Sequence, residues 1–298
     1  MLKLNRYHIV LSMLLFACNM LMSGQDLDSL LQGYMEEKTE YTLATFKATR
    51  ILNGHSIERM TEGQMDFRIS HRFGRINSGA YEFFGLDQAH IHISLEYGIT
   101  DWLMVGVGRG TFEKTIDGFT KLSLLRQSTG AKEMPVSLSY MAGIYMNGLK
   151  WSDPERDNHF YQRLSFAHQI LIARKFSPAF SLQITPSYLH QNLVETAAEP
   201  NDIFGLGVGG RLKLSKRISF NAEYYYLFKP DNETLSTDIY NPLSLGIDIE
   251  TGGHVFQVIL TNSVGMRENA FLGHTTGKWL NGDIHLGFNV SRVFQLKK

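Results

Sequence analysis

Two imidazoles stand two residues apart at His90 and His92, with Glu96 further along the same run. Imidazole and carboxylate are both zinc ligands, so this set is chemically able to hold a divalent metal. Gly54-His55-Ser56 and Gly273-His274-Thr275-Thr276 place histidines beside hydroxyls, the raw material of acyl transfer. Gly106-Val107-Gly108-Arg109-Gly110 has the glycine content of a phosphate-binding loop. Charges of both signs recur elsewhere, at Asp66, Arg68 and Arg72, at Arg211 and Lys213, and at Glu223, Asp248, Glu250 and His285.

The elements that carry these residues decide between those chemistries. Ala89, Ile91, Ile93, Leu95 and Tyr97 alternate with His90, His92, Ser94 and Glu96. Period two is the mark of a strand with one apolar and one polar face. Neighbours on a strand point opposite ways, so neither His-hydroxyl pair makes a triad by itself, and there is no Gly-x-Ser-x-Gly elbow. No helical pattern follows the glycine run, so close strand packing accounts for it better than a phosphate loop. The same alternation sets Met65, Phe67, Ile69 and Phe73 against Asp66, Arg68, Ser70 and Arg72. It sets Leu206, Val208 and Leu212 against Gly205, Gly207, Gly209, Arg211 and Lys213. It sets Leu243, Leu245, Ile247 and Ile249 against Ser244, Asp248 and Glu250, and Leu286, Phe288 and Val290 against His285 and Asn289. The register is less clear at 118–126 and 160–173.

The chain has 298 residues, with 29 basic and 29 acidic side chains. A balanced charge argues against a nucleic-acid partner, which selects a basic surface. With 19% charged and 12% aromatic residues, the composition argues against disorder. One cysteine excludes a disulfide framework and a cysteine-based zinc site. Lys3, Arg6 and His8 precede the apolar run Ile9–Met22 and the small residues Ser23 and Gly24. This reads as a signal peptide over 1–24. A lipoprotein signal with Cys18 acylated is the alternative, disfavoured by Phe16. No other stretch holds 18 consecutive apolar residues, so helical spans are excluded.

An exported chain with repeated two-faced strands and no spanning helix suits an outer-membrane barrel, in which only every second strand residue meets lipid. About twelve strands are expected, at 63–74, 88–98, 102–110, 116–127, 135–147, 158–174, 179–191, 203–214, 218–228, 242–250, 254–262 and 282–294. Connections alternate between short ones (98–101, 175–178, 215–217, 251–253) and long ones (74–87, 150–158, 192–202, 229–240, 263–281), as periplasmic turns and external loops do. Tyr97, Trp102, Tyr188, Tyr224, Tyr226, Phe228 and Phe294 fall near strand ends, where an aromatic girdle belongs. The expected fold is therefore all-β, a closed antiparallel transmembrane β-barrel over 63–298. Residues 25–62 are a short periplasmic or plug segment, with a short helix at 26–34 and an extra strand at 41–50.

Several stretches resemble a family of uncharacterised exported proteins of Gram-negative bacteria described as membrane-bound β-barrel domains. They are Ala44–Arg50, Asn53-Gly54-His55-Ser56, Phe67–Gly74, Tyr81–Gln88, Tyr97–Asp101 and Leu125–Gly130. The resemblance extends over residues 41–294 and implies a barrel. It implies no biochemical activity.

On this reading Asp66, Arg68, Arg72, His90, His92, Glu96, Arg211, Lys213, Glu223, Asp248, Glu250 and His285 line the lumen. Interleaved signs suggest a salt-bridged interior rather than a one-sign filter, and the paired histidines read as lumen polarity rather than a metal site. Small inward residues (Ser94, Ser181, Gly205, Gly207, Gly209, Ser244) should leave space. The expectation is a non-enzymatic outer-membrane barrel with no cofactor, a narrow pore or transporter for small polar solutes. Its partners would be outer-membrane lipids and the barrel-assembly machinery, with no nucleic acid. A structural barrel that anchors periplasmic partners is the alternative, and an outer-membrane lipid hydrolase the remoter one.

Overall fold

A computed structural model describes residues 38–197, 199–229 and 237–297. The expected signal peptide, Cys18 and the helix expected at 26–34 lie outside them. The described residues divide into two units, 38–40 with 128–133, and 41–127 with the described residues from 134 to 297. In the first, Ser128 donates its hydroxyl to the Lys132 carbonyl. The second contains the barrel.

Twelve strands form that barrel: β1 Gln64–Arg75, β2 Ala89–Gly98, β3 Leu103–Gly110, β4 Ile116–Leu125, β5 Ser137–Met146, β6 Leu164–Lys175, β7 Phe180–Gln191, β8 Asp202–Lys213, β9 Ile218–Phe228, β10 Leu243–Thr251, β11 His254–Thr261 and β12 His285–Gln295. Each pairs antiparallel with its sequence neighbours, and β12 closes on β1 with Val290 opposite Ile69. Closure leaves no sheet edge, which lipid requires because it offers backbone groups no partners. The seam slips once, between His285 and Gly287. A Cβ at Gly287 would stand 2.5 Å from the His71 carbonyl oxygen, so only glycine fits this approach.

The alternation sorts side chains as expected. Ile93 is 47% exposed on the outer wall, whereas Ser94 and His92 beside it are 2% exposed. Leu206 faces out, and Leu245 and Leu286 share its phase in their strands.

Four expectations need correction. The sixth strand starts at Leu164, not 158, because Phe160–Arg163 make a 3-10 turn closed by the Leu164 N–H on the Tyr161 carbonyl. The twelfth starts at His285, after the Trp279–Asn281 turn and the left-handed Gly282. The strand expected at 41–50 is not formed beyond Glu40–Tyr41; residues 45–54 bend repeatedly, and Arg50 bridges His55. The phasing of loop lengths reverses once. The β3–β4 connection, at the long-loop end, has only residues 111–115, while β4–β5, at the short-turn end, takes 126–136.

Candidate functional site: a filled lumen

The interior is occupied from both ends. Residues 44–60 enter from the end where the short turns and the chain's last strand lie. Gly63 marks that passage: its N–H donates to the Gly98 carbonyl, and Leu296 N–H donates to its own. From the opposite end, the β11–β12 loop turns inward as a short helix, α1 Glu268–Gly273, every residue of which is buried. The fill therefore covers several of the small inward residues. A Cβ on Gly209 would meet Ile51 at 2.4 Å, one on Gly246 would meet Leu52 at 2.5 Å, and one on Gly207 would meet the Tyr225 ring at 2.4 Å.

The inner wall is also less uniformly polar than its alternation suggests. Leu171 and Ile259 pack with Phe46, Ile51, Leu52 and Ile57 of the inserted segment. Tyr145, Leu189 and Tyr225 pack beneath Phe271 and Leu272 of α1. These inward apolar residues match what fills the barrel rather than water.

Polar contacts fix the segment at its centre. The Glu223 carboxylate accepts from the consecutive backbone N–H groups of Leu52 (3.3 Å), Asn53 (2.7 Å) and Gly54 (3.2 Å). The Lys121 ammonium donates to the carbonyls of Thr49 (3.3 Å), Ser56 (3.1 Å) and Glu58 (2.8 Å). Gln183 and Gln257 donate to the carbonyls of His55 and Ile51, both at 2.8 Å. One wall carboxylate thus takes the donors of the bend, and one wall ammonium takes its acceptors. A bent backbone has no partner strand, so the wall must supply these bonds.

Arg50 is the node between segment, wall and loop. Its Nη1 lies 2.9 Å from Glu268 Oε1, its Nη2 lies 3.0 Å from His55 Nε2, and its Nε lies 3.9 Å from Glu96 Oε1. Thr49 donates its hydroxyl to Glu96, and Tyr145 donates to Glu268 at 2.7 Å. Burial, then the nearby Arg50 and Lys121 cations, push the His55 imidazole well below its ordinary range.

The lumen residues expected from sequence fall into distinct groups. Asp66 and Arg68 pair at 2.9 Å next to Glu96. Arg72 donates to Asn53 Oδ1 at 2.6 Å and to Asn289 Oδ1 at 3.1 Å, so with Glu223 it touches the inserted segment directly. Arg211, Asp248 and Glu250 lie toward the short-turn end. There Arg211 donates to the Ala44 carbonyl, Glu250 pairs with Lys47 at 2.7 Å, and Asp248 accepts from Gln257. His92 contacts Asp117 and Arg267, the latter at 2.8 Å. A Cβ on Gly108 would stand 2.3 Å from the His92 ring, which accounts for that glycine. Three residues stand apart. His90 packs on Phe112, Lys213 is half-buried at the end of β8, and His285 sits by the Phe73 carbonyl at the outer rim. Among the described residues, no group of three or more His, Cys, Asp or Glu is placed to hold a metal ion. Ser56, beside His55, instead donates to the Ala48 carbonyl.

Residues missed from sequence are Arg50, Asn53, Asp117, Lys121 and Glu268. Lys121 lies in the stretch of unclear register and Asp117 directly before it, where Phe119 also faces in and disguises the alternation. Arg50 and Glu268 lie outside any strand, where no periodicity speaks for them. Beneath the outer mouth, among His92, Phe112, Met266 and Asn269, there remains a cavity of about 10 Å³, room for about one water.

A closed antiparallel barrel with an apolar outer wall, no spanning helix among the described residues and an interior filled by its own chain is an outer-membrane β-barrel protein. More particularly, the chain belongs to the family described as Membrane bound beta barrel domain (DUF5777), whose model matches residues 46–294. No curated protein matches it. Among solved structures it is similar to the NanC porin (6% identity, 78% of this chain and 100% of that one, TM-score 0.47). An outer-membrane channel from Pseudomonas putida F1 aligns at 11% identity over 80% of this chain and 97% of that one, TM-score 0.47. Outer membrane phospholipase A from Escherichia coli aligns at 11% identity over 84% and 98%, TM-score 0.45.

Proposed function

We propose that this protein is a gated, narrow, non-catalytic conduit for small polar solutes, held shut by residues 44–60. One observation carries the reading: the bend at 49–58 is held at its centre by exchangeable polar bonds, chiefly the Glu223 and Lys121 clamps. Each such bond, made to a charged group, contributes only about 1.5–3 kcal/mol net, because water replaces it when the segment leaves. The wall left behind would carry Asp66, Arg68, Arg72, Glu96, Lys121 and Glu223, which hydrate readily and favour neither ion sign. A barrel of this size stands between those filled by side chains at about eight strands and those with an aqueous channel at 16–18.

The test is planar-bilayer conductance of the full chain and of a variant lacking residues 25–62. The full chain should conduct rarely, and the deletion should conduct steadily with weak ion selectivity. A deletion variant that inserts as a heat-modifiable barrel and conducts nothing overturns the reading. A non-conducting structural barrel that anchors periplasmic partners would then replace it. The apolar contacts of Phe46, Ile51, Leu52 and Ile57 with the wall favour that alternative, since they add a permanent component to the fill.

A further inference from the structure

The outer wall carries a polar stripe of histidines and a carboxylate that goes beyond an aromatic girdle. Tyr140 on β5, His168 on β6, Tyr188 and His190 on β7, and Asp202 on β8 share the phase of Ile144, Ile170, Ile184 and Leu206. Those four are 44%, 45%, 41% and 39% exposed on the outside of the barrel. The Tyr140 hydroxyl lies 2.6 Å from His168 Nδ1. The His168 ring stacks between those of Tyr140 and Tyr188, with centroids 6.0 Å from each. Tyr188 donates to Asp202 Oδ1 at 2.7 Å, and His190 Nδ1 meets the same oxygen at 2.6 Å. Phe204 flanks Tyr188 at 5.1 Å.

Ionisable groups on a lipid-facing wall are expensive and are retained where they have polar partners. Here the internal bonds use only one atom of each ring or carboxylate. Among the described residues, His168 Nε2, His190 Nε2 and Asp202 Oδ2 make no hydrogen bond, and all three belong to side chains on the outer wall. The stripe is tilted with depth: Asp202 and His190 lie at the long-loop end of their strands, and Tyr140 lies well inside β5. That end faces the outer leaflet.

We propose that this stripe binds a glycolipid of the outer leaflet. Its donors and acceptors suit the amide and hydroxyl groups of a lipid-borne amino sugar, and its stacked rings suit the apolar face of a sugar. It contains no Lys or Arg, so phosphate is not what it selects. The site is independent of the lumen and stands whether or not the barrel conducts.

The test uses the full chain purified in detergent, incubated with deep-rough lipopolysaccharide or with phosphatidylglycerol, and read by native mass spectrometry. The wild type should retain lipopolysaccharide in preference to phosphatidylglycerol. His168→Phe, which keeps the ring and adds apolar surface, should weaken retention about tenfold, and Tyr140→Phe about fivefold. Val258→Phe, on the far wall, should leave it unchanged. Heat-shifted gel mobility verifies that each variant is folded. Equal retention of both lipids by the wild type overturns the proposal, as does retention indifferent to both stripe variants. So does a wild-type dimer that His168→Phe dissolves, because the stripe would then be a contact between copies.

Discussion

Arg50 Nη1 lies 2.9 Å from Glu268 Oε1, although 218 residues of sequence separate them. The pair ties the inserted N-terminal segment to the inward-folded loop. Both side chains are at most 2% exposed, so neither can turn to water if the other is removed. Arg50→Ala should therefore cost about 3–5 kcal/mol, the usual result of leaving a buried charge without its partner. Replacing both with methionine should cost less than the two single changes together. A double-mutant cycle on urea or heat unfolding measures this, and additive single effects would show that the pair is not coupled.

Gly209 and Ile51 make the sharpest steric test. The Ile51 side chain fills the space a Cβ on Gly209 would need. Gly209→Ala should loosen the inserted segment, raising its proteolysis rate, while the strand itself keeps its lipid-facing neighbours. Ile51→Ala in the same chain should restore resistance. Failure of that rescue would show that Gly209 matters for the strand rather than for the fill.

The two faces of β2 should respond differently to charge. Ile93 is 47% exposed in mid-strand, and Arg there should cost about 2–4 kcal/mol. The inward neighbour His92 is not a tolerant control, because it is packed against Asp117, Arg267 and Gly108. His92→Arg would set a second guanidinium beside Arg267. It should also destabilise the barrel, through crowding and like charge, and removing Arg267 should relieve the cost. Refolding yield judged by gel mobility separates the two causes: Arg267→Ala should rescue His92→Arg and leave Ile93→Arg unchanged.

His55 gives the inserted segment a pH dependence of known sign. Burial keeps its imidazole neutral and its pKa well below the ordinary 6.5, which it regains once the segment is released. The released form therefore binds the extra proton as pH falls below about 6.5, and the inserted form loses stability there. Protease access to residues 44–60 should rise in the wild type between about pH 6.5 and 5. The rise should be smaller in His55→Gln. Burial raises the Glu58 carboxyl, an effect of opposite sign that acts from about pH 4.5 upward, so the comparison of the two chains, not the wild-type curve alone, carries the test.

The strands are legible in the sequence because the two environments of a barrel wall differ at every second residue. Ile91, Ile93 and Leu95 against His92, Ser94 and Glu96 need no tertiary information. The inward orientation of Arg72 and Glu223 follows from the same rule, but their roles do not. Whether an inward charge meets water, another wall charge or a folded-in segment depends on contacts more than a hundred residues apart. Glu223 meets Asn53 across 170 residues. α1 spans only Glu268–Gly273 within a loop, too short to show a helical period. Phe119, Tyr145 and Ile259 face in because the fill is partly apolar there, so they blur the alternation at just those strands.

The fill is drawn from opposite extremes of the barrel sequence: residues 44–60 precede β1, and α1 lies between the last two strands. The interior therefore cannot be completed by a growing partial sheet, since Glu268 and the seam-forming β12 come last in the chain. Sealing the wall and packing its contents belong to one late event in folding, and contacts of such long sequence separation make that event slow. A chain truncated before β12 lacks the seam, and one truncated before 268 also loses the partner of Arg50. Until then the apolar residues Phe46, Ile51 and Leu52 have no completed interior to enter. That interval is when the newly exported chain is most exposed to aggregation.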